Sequence, residues 1–317
     1  MKKNQISIVI TTLNDNPECE ATCRSLIDTC HTEPEIIVID DGSETPFVPS
    51  EEIADSVRVE RLERRIGVGP ARHYGATLAR FKYLFLTDSH MRFTDGWDKA
   101  ALEHLEEHPR SLYCTTCRGL SKDNMDIEKP SGLYHGAGIN FFGLDPKDVN
   151  KWQIIEGVWL KEVKKKDDYV IPCVMGANYF IDKEYFFFLG GLKMLRQYGS
   201  DEPYLSLKVW LSGGEVRLMK DVHVGHQFRK KTHYRNGNTE MCYNKLMTAT
   251  TLFPPEAAEF INDQLLTVFK AGDVNAARRL WMLDERLIQA EAVWMTQIQQ
   301  LPFLEFLKRF DIPVFWG

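Results

Sequence analysis

Phe85-Leu86-Thr87-Asp88-Ser89-His90 is an apolar run that ends in a carboxylate and an imidazole two residues apart. Its length and composition are typical of a short buried strand. Side chains at positions i and i+2 of an extended chain project to the same face, so Asp88 and His90 can ligate one divalent cation, and mixed oxygen and nitrogen ligands suit Mn²⁺. The motif alone is weak evidence, because a polar strand end turning into solvent would give the same pattern.

The composition is that of a folded soluble protein. Of 317 residues, 44% are apolar and 11% aromatic, which is ample for a packed core. The 39 basic and 45 acidic residues give a net charge of −6, which argues against nonspecific nucleic-acid binding. No signal-peptide core and no membrane-length apolar run are present, and the seven cysteines have no framework spacing. We therefore expect a soluble cytoplasmic protein without membrane insertion.

Strands and helices alternate through the first part of the sequence. The strand-like runs cover residues 6–11, 35–40, 57–62 and 83–88. This alternation predicts an α/β fold with a mostly parallel central sheet flanked by helices. The polar side chains that follow the strands are Thr11, Asp40, Asp41, Asp88 and His90. Open α/β sheets bind ligands at the carboxyl ends of their strands, so we expect these side chains to converge on one crevice.

A glycine-rich turn, Arg65-Ile-Gly-Val-Gly-Pro-Ala-Arg72, opens the helix before the strand at 83–88. The third glycine of a dinucleotide fingerprint is absent, so we do not predict an NAD site. The glycines are explained by a tight strand-to-helix corner. Arg72, in the first helical turn, could still help to hold an anion there.

Two acidic residues, Asp201 and Glu202, precede a helix predicted over residues 204–211. Acids at such a position are commonly simple partners of the helix N-terminus. Beside a bound substrate, one of them could instead accept a proton or hydrogen-bond a hydroxyl group.

A segment over residues 223–234 combines imidazole, guanidinium, ammonium and phenol groups, including His226, Arg229 and Tyr234. These groups suit a diphosphate whose metal ion needs one more ligand. An isolated histidine is more often structural than a ligand, so the segment gains meaning only together with the strand ends.

The order of these motifs resembles the GT-A glycosyltransferases, specifically the polypeptide N-acetylgalactosaminyltransferases. The similarity covers roughly residues 5–240 and includes Ile-Thr-Thr-Leu-Asn-Asp at 10–15 and Ile-Asp-Asp-Gly-Ser at 39–43. It is sharpest in Asp-Ser-His at 88–90, where most GT-A enzymes carry Asp-x-Asp, and in Gly-His-Gln-Phe-Arg at 225–229. The resemblance implies a GT-A fold and a catalytic domain over residues 1–240.

The same resemblance implies a role for each matching residue. Mn²⁺, or another divalent cation, would be ligated by Asp88, His90 and His226. The UDP-sugar donor would be held by Thr11, Asp40 or Asp41, Arg72, Tyr198, Arg229 and Tyr234. Of these, Arg229 and Tyr234 would contact the diphosphate from a loop that closes over the donor. The catalytic set would comprise Asp201, Glu202 and Arg229.

One motif departs from the family pattern. Residues 198–202 are Tyr-Gly-Ser-Asp-Glu where the family has Trp-Gly-Gly-Glu-Asn, so Tyr198 replaces a tryptophan that packs near the donor sugar. The sugar therefore stays open among the GalNAc, GlcNAc and Glc types. The resemblance implies transfer with retention; if the configuration inverts, Asp201 or Glu202 must be the general base.

These observations predict a metal-dependent glycosyltransferase that moves a sugar from a UDP-sugar to a hydroxyl group. The acceptor stays open among a protein Ser or Thr, a glycan and a hydroxymethylated base of phage-type DNA. One alternative is a nucleotidyltransferase that makes nucleotide sugars, which would carry a glycine-rich loop after the first strand. The other is a non-catalytic binding module, which would have lost a metal ligand.

Residues 241–317 lie beyond the similarity. Apolar residues recur there at helical spacing, namely Leu280, Leu283, Leu287, Trp294 and Ile298. The pattern predicts a helical hairpin that packs on the catalytic domain. A dimerisation or acceptor-docking module is the alternative.

Overall fold

A mixed eight-stranded sheet forms the centre of the computed structural model, which describes residues 5–122, 125–127, 134–142, 149–160, 169–175, 177–229 and 237–316. The strands in chain order are β1 (Ile6–Thr12), β2 (Glu35–Asp40), β3 (Val57–Arg61), β4 (Tyr83–Asp88), β5 (Met91–Phe93), β6 (Ser111–Gly119), β7 (Ala137–Asn140), β8 (Glu156–Trp159), β9 (Asn178–Asp182) and β10 (Glu215–His226). The helices are α1 (Asn16–Thr29), α2 (Val68–Leu78), α3 (Trp97–Glu107), α4 (Lys183–Phe188), α5 (Asp201–Leu211), α6 (Asn238–Leu252), α7 (Pro255–Val268), α8 (Ala271–Ile298) and α9 (Phe303–Arg309).

The strand order in the central sheet is β3-β2-β1-β4-β9-β6-β10-β5, and β7 and β8 form a separate antiparallel pair. Strands β3, β2, β1 and β4 are parallel, as are β6 and β10. Strand β9 runs antiparallel to both β4 and β6, and β5 runs antiparallel to β10. The carboxyl ends of β1, β2, β4 and β10 therefore meet at one edge. The predicted α/β architecture is confirmed, with antiparallel strands inserted into the parallel sheet.

Strand β4 is buried on both faces of the sheet. Leu84 and Leu86 belong to one apolar core, and Tyr83 and Phe85 belong to the other. The ring of Phe85 stacks on that of Phe180 with a centroid separation of 4.0 Å. Because packing holds both faces, the end of β4 presents its polar residues in a defined position.

The glycine-rich turn is pinned to the loop before α5. Gly67 has a φ of +102°, and a Cβ atom there would lie 1.9 Å from the Cα atom of Gln197. The amide of Val68 donates a hydrogen bond of 2.8 Å to the carbonyl of Gln197. Glycine is thus required for a close approach of two backbones, which brings α2 and α5 to the same edge of the sheet.

The helices after the sheet continue its core. Side chains of α6, α7, α8 and α9 belong to the same apolar cluster as Leu84 and Leu86. Helix α6 begins at Asn238, next to the boundary predicted at residue 240, and the division into two domains stays a prediction. Among the described residues, no helix combines the length and apolarity needed to cross a bilayer.

The apolar stripe noted on α8 packs against the core only in part, at Leu280 and Ile298. Leu283 and Leu287 are 80% and 62% exposed, whereas Ile288 and Met295 on a neighbouring face are buried. The helix carries apolar residues on more than one side, and helical spacing alone cannot show which side the core covers.

Candidate metal and nucleotide site

Three potential metal ligands meet at the strand ends. Asp88 ends β4, His90 lies two residues further on, and His226 ends β10. Their ligand atoms all lie within 4.8 Å of one another. The Nε2 atom of each imidazole is 3.8 Å from Oδ2 of Asp88, which is longer than a hydrogen bond. The three groups thus surround a common point. At these separations the lone pairs of the imidazole and carboxylate groups are not engaged in hydrogen bonds to one another.

Antiparallel pairing of β5 with β10 produces this convergence. His226 pairs with Met91, the residue after His90, and the amide of Gln227 donates to the carbonyl of His90 at 3.1 Å. The imidazole rings of His90 and His226 are consequently 4.9 Å apart although 136 positions separate them in the sequence.

The protonation of these groups suits a cation. Burial alone would raise the pKa of Asp88, but the neighbouring His226 and the Arg72 guanidinium hold it well below its usual range. Burial lowers the pKa of His226, so its imidazole is neutral at neutral pH. The Nδ1 atom of His226 is buried and has no hydrogen-bond partner within the described ranges. A carboxylate oxygen together with imidazole nitrogens is a donor set that fits Mn²⁺.

Asp15, which the sequence reasoning did not single out, supports this cluster. Its Oδ2 atom is 3.2 Å from Nδ1 of His90, and its Oδ1 atom accepts a hydrogen bond of 2.9 Å from Arg229. The hydroxyl of Ser89 also donates to Oδ2 at 3.1 Å. Burial would raise the pKa of Asp15, but His90 and Arg229 lower it below the ordinary value. One carboxylate therefore orients the imidazole of His90 and anchors the guanidinium of Arg229. In the sequence, only the motif at residues 10–15 pointed to Asp15.

Arg72 lies beneath the cluster rather than in the open crevice. It is 2% exposed, and its two terminal nitrogens donate hydrogen bonds of 2.6 Å to Asp88 and to Asp201. Its guanidinium also lies 4.9 Å from the ring centroid of Tyr179. Burial would lower the pKa of Arg72, but the surrounding acidic groups raise it, so it stays cationic. Its predicted contact with the nucleotide stays a prediction.

Asp201 and Glu202 form the first turn of α5, so the helix begins three residues earlier than predicted. Ser200, just before them, has a φ of +66°. Burial and the adjacent Asp201 carboxylate raise the pKa of Glu202 well above its ordinary value. The two acids therefore have different surroundings, since Asp201 is ion-paired with Arg72.

The structure separates the two consecutive acids after β2. Asp41 accepts hydrogen bonds from the amides of Ile66 and Gly67 at 2.7 and 2.8 Å, and it lines the crevice. Asp40 is fully buried and binds Arg61 at 2.7 Å and two amides of its own turn. Of the two alternatives, Asp41 is the one placed to reach a ligand.

A crevice opens at the strand ends above these groups. It is lined by Thr11, Thr12, Leu13, Asp15, Asp41, Arg65, Val68, Asp88, Ser89, His90, Gln197, Tyr198 and Arg229. Four donor-site residues predicted from the sequence, Thr11, Asp41, Tyr198 and Arg229, thus share one cavity with two of the predicted metal ligands. Arg65 and Gln197 were not foreseen. Tyr234 lies outside the described residues.

A sheet of this order with polar strand ends around one crevice defines the GT-A class of fold. The chain belongs to Glycosyl transferase family 2, whose sequence signature matches residues 7–187.

Curated relatives agree with the resemblance found in the motifs. Polypeptide N-acetylgalactosaminyltransferase 3 of Drosophila melanogaster is 25% identical over 90% of this chain and 44% of its own length. Polypeptide N-acetylgalactosaminyltransferase 5 of Caenorhabditis elegans is 27% identical over 79% of this chain and 41% of its own length. The chain thus spans less than half the length of these relatives.

Solved structures confirm the fold. GalNAc-T7 with UDP, GalNAc and Mn²⁺ superposes with a TM-score of 0.73 at 18% identity, covering 99% of this chain and 58% of that one. Staphylococcus aureus TarS in complex with UDP-GlcNAc superposes with a TM-score of 0.53 at 12% identity, covering 82% of this chain and 70% of that one.

We expect Arg72→Met to destabilise the metal-free protein by about 3 to 5 kcal/mol at pH 7, because it leaves Asp88 and Asp201 without their buried partner. The pairing with Arg72 is present above the ordinary pKa of aspartate, near 3.8, and is lost as acid protonates the carboxylates. The difference between variant and wild type should therefore persist down to about pH 4 and shrink as the pH falls below it.

Urea unfolding at pH 7, at about pH 4 and at about pH 2.5 measures this difference. Arg58→Met is the matched control, because the exposed Arg58–Glu60 pair contributes at most about 1 kcal/mol. Equal losses for the two variants would contradict a structural role for Arg72.

Proposed function

We propose that this protein is a metal-dependent glycosyltransferase that moves a sugar from a UDP-sugar to a hydroxyl acceptor. The observation that carries the proposal is the convergence of Asp88, His90 and His226 within 4.8 Å, in a crevice that Arg229 also lines. Membership of Glycosyl transferase family 2 supports the reaction class. The relatives' names and the UDP, GalNAc and Mn²⁺ of the GalNAc-T7 structure support the donor and the metal.

In this proposal the metal would be held by Asp88, His90 and His226, and when bound it would neutralise charge on the departing diphosphate. Arg229 would donate hydrogen bonds to the same diphosphate. It lies on the segment that follows β10, beside the ligand His226, so metal binding and diphosphate binding are mechanically linked. Thr11 and Asp41 would hold the nucleoside at the other end of the crevice.

The two acids of α5 would act near the sugar. With retention, which the resemblance implies, the leaving phosphate itself would take the acceptor proton. If the product is inverted instead, Glu202 is the better general base, because Asp201 is ion-paired with Arg72. We propose retention, with a donor of the GalNAc, GlcNAc or Glc type.

The first test is release of UDP from a panel of UDP-sugars in the presence of Mn²⁺. We expect release from at least one donor, abolished by a chelator and restored by Mn²⁺, because the diphosphate needs a counter-charge. Formation of UTP from a UDP-sugar and pyrophosphate would support the nucleotidyltransferase alternative. Nucleotide binding without either product would support the binding module.

We expect His226→Ala to abolish Mn²⁺-dependent turnover, because it removes one of three ligands. The circular dichroism spectrum should stay close to wild type, since backbone pairing with β5 holds this strand end. The melting temperature should fall by only about a few degrees, since the lost packing is that of one imidazole on Phe228 and His90. His223→Ala is the matched control: it lies on the same strand, contacts Arg118, and is not in the ligand cluster. Normal turnover by His226→Ala would show that the third ligand is wrongly assigned.

We expect Asp15→Asn to weaken Mn²⁺ binding by roughly 10- to 100-fold, because Asp15 orients His90 without ligating the metal. The KM for the donor should also rise, since Arg229 loses its anchor. Calorimetric titration of Mn²⁺ separates the first effect from activity. The exposed Asp28→Asn on α1 is the control, and identical Mn²⁺ affinities for the two variants would contradict this role.

A further inference from the structure

A second cavity, which we call the basic cavity, lies between the glycine-rich turn, the loop before α5, and helices α6 and α8. Its volume is about 550 Å³, within the roughly 300 to 1,000 Å³ that is usual for small-molecule sites. Arg65 and Gln197 line both this cavity and the crevice, so the two spaces share a wall. The predicted metal ligands Asp88 and His90 line the crevice and not the basic cavity.

Positive charge predominates in the basic cavity although the whole chain is acidic. Four cations and two acids line it, which leaves an excess of two positive charges, whereas the complete sequence has a net charge of −6. These charged residues are Arg64, Arg65, Lys193, Arg196, Glu240 and Asp284. A concave site with a charge opposite to that of the protein as a whole favours an anionic ligand.

The guanidinium of Arg196 is fixed in the cavity wall. Its Nη2 atom donates a hydrogen bond of 2.7 Å to Asp284, which also accepts one of 2.7 Å from the hydroxyl of Tyr243. The guanidinium lies 4.9 Å from the ring centroid of the buried Tyr243. Asn244 binds the backbone amide and carbonyl of Arg196, each at 2.8 Å. A cation held in this way loses little conformational freedom when an anion binds to it.

Two further cations are exposed in the lining of the cavity and are available to a ligand. Arg64 has no ion-pair partner among the residues that the structure describes. The Nζ atom of Lys193 is 3.8 Å from Glu291, which is longer than a hydrogen bond, and the side chain is 53% exposed. Glu291 instead contacts the buried Lys208 at 2.5 Å.

We propose that the basic cavity binds the phosphate group of an organic phosphomonoester. Such a group carries about −1.5 to −2 charges at pH 7, which matches the excess of positive charge in the lining. Planar guanidinium groups donate paired hydrogen bonds to phosphate oxygens. The organic part of the ligand contacts the apolar portion of the lining, which includes Ile66, Pro70, Leu195 and Leu287.

The basic cavity is distinct from the place proposed for the diphosphate of the donor. Arg229, which would bind that diphosphate, lines the crevice, whereas Arg64 and Lys193 line the basic cavity. The inference does not use the metal cluster or the reaction. Failure of one proposal therefore leaves the other intact.

Calorimetric titration of the metal-free full chain with phenyl phosphate tests the proposal. We expect a dissociation constant of about 1 mM or lower at about 50 mM salt. Inorganic phosphate should bind about tenfold more weakly, because it makes no contact with the apolar part of the lining. Equal affinities for the two probes would indicate a site for free phosphate and overturn the organic ligand. Absence of binding by either probe at about 10 mM would overturn the site itself.

Two variants test whether the phosphate lies in the basic cavity. Arg64→Gln and Lys193→Gln should each raise the dissociation constant of phenyl phosphate by about three- to tenfold, because each loses a charge-assisted hydrogen bond. Their circular dichroism spectra should match wild type, since both side chains are exposed. Lys99→Gln is the matched control, because Lys99 is an exposed cation on α3, which packs on the other apolar core. Equal affinities for the control and both variants would overturn the location.

Binding of phenyl phosphate in the crevice is the competing explanation, and Arg229→Gln separates the two. The affinity for phenyl phosphate should stay at the wild-type value in this variant, because Arg229 lines the crevice and not the basic cavity. A loss of affinity in Arg229→Gln as large as that in Arg64→Gln would place the anion in the crevice and overturn the proposal.

Discussion

The buried guanidinium of Arg72 is the interaction on which the site depends. It hydrogen-bonds Asp88 at the end of β4 and Asp201 in the first turn of α5, and it originates from α2. Three elements are thereby held together by one charge that burial would otherwise disfavour. The close backbone approach at Gly67 brings α2 and the loop before α5 together. Arg72 of α2 can therefore reach Asp201 of α5.

A second network lies above the first and links the metal cluster to the nucleotide crevice. Asp15 contacts His90 on one side and Arg229 on the other. Since the segment that bears Arg229 continues directly from His226, changes at the metal and at the diphosphate would be transmitted through very few contacts. The arrangement resembles the outer-shell carboxylates that orient metal-bound histidines in other proteins.

The helices after the sheet divide their apolar surface between the core and solvent. One side of helix α8 extends the core that begins on β4. Another side, which includes Leu283 and Leu287, is exposed to solvent. On α3, by contrast, the apolar residues Ala101, Leu102 and Leu105 face the core. The residues that line the crevice all lie outside α8.

The sequence by itself determined the α/β architecture, the strand ends and the pairing of Asp88 with His90, because these follow from periodicities of a few residues. The resemblance added predicted roles for His226, Arg229 and Asp201. Only the tertiary structure decided that Arg72 is buried, that Asp41 and not Asp40 lines the crevice, and that Asp15 supports His90. It also decided which side of α8 is buried. These outcomes depend on contacts between residues 16 to 214 positions apart, or on competition between two apolar faces, and neither leaves a local pattern in the chain.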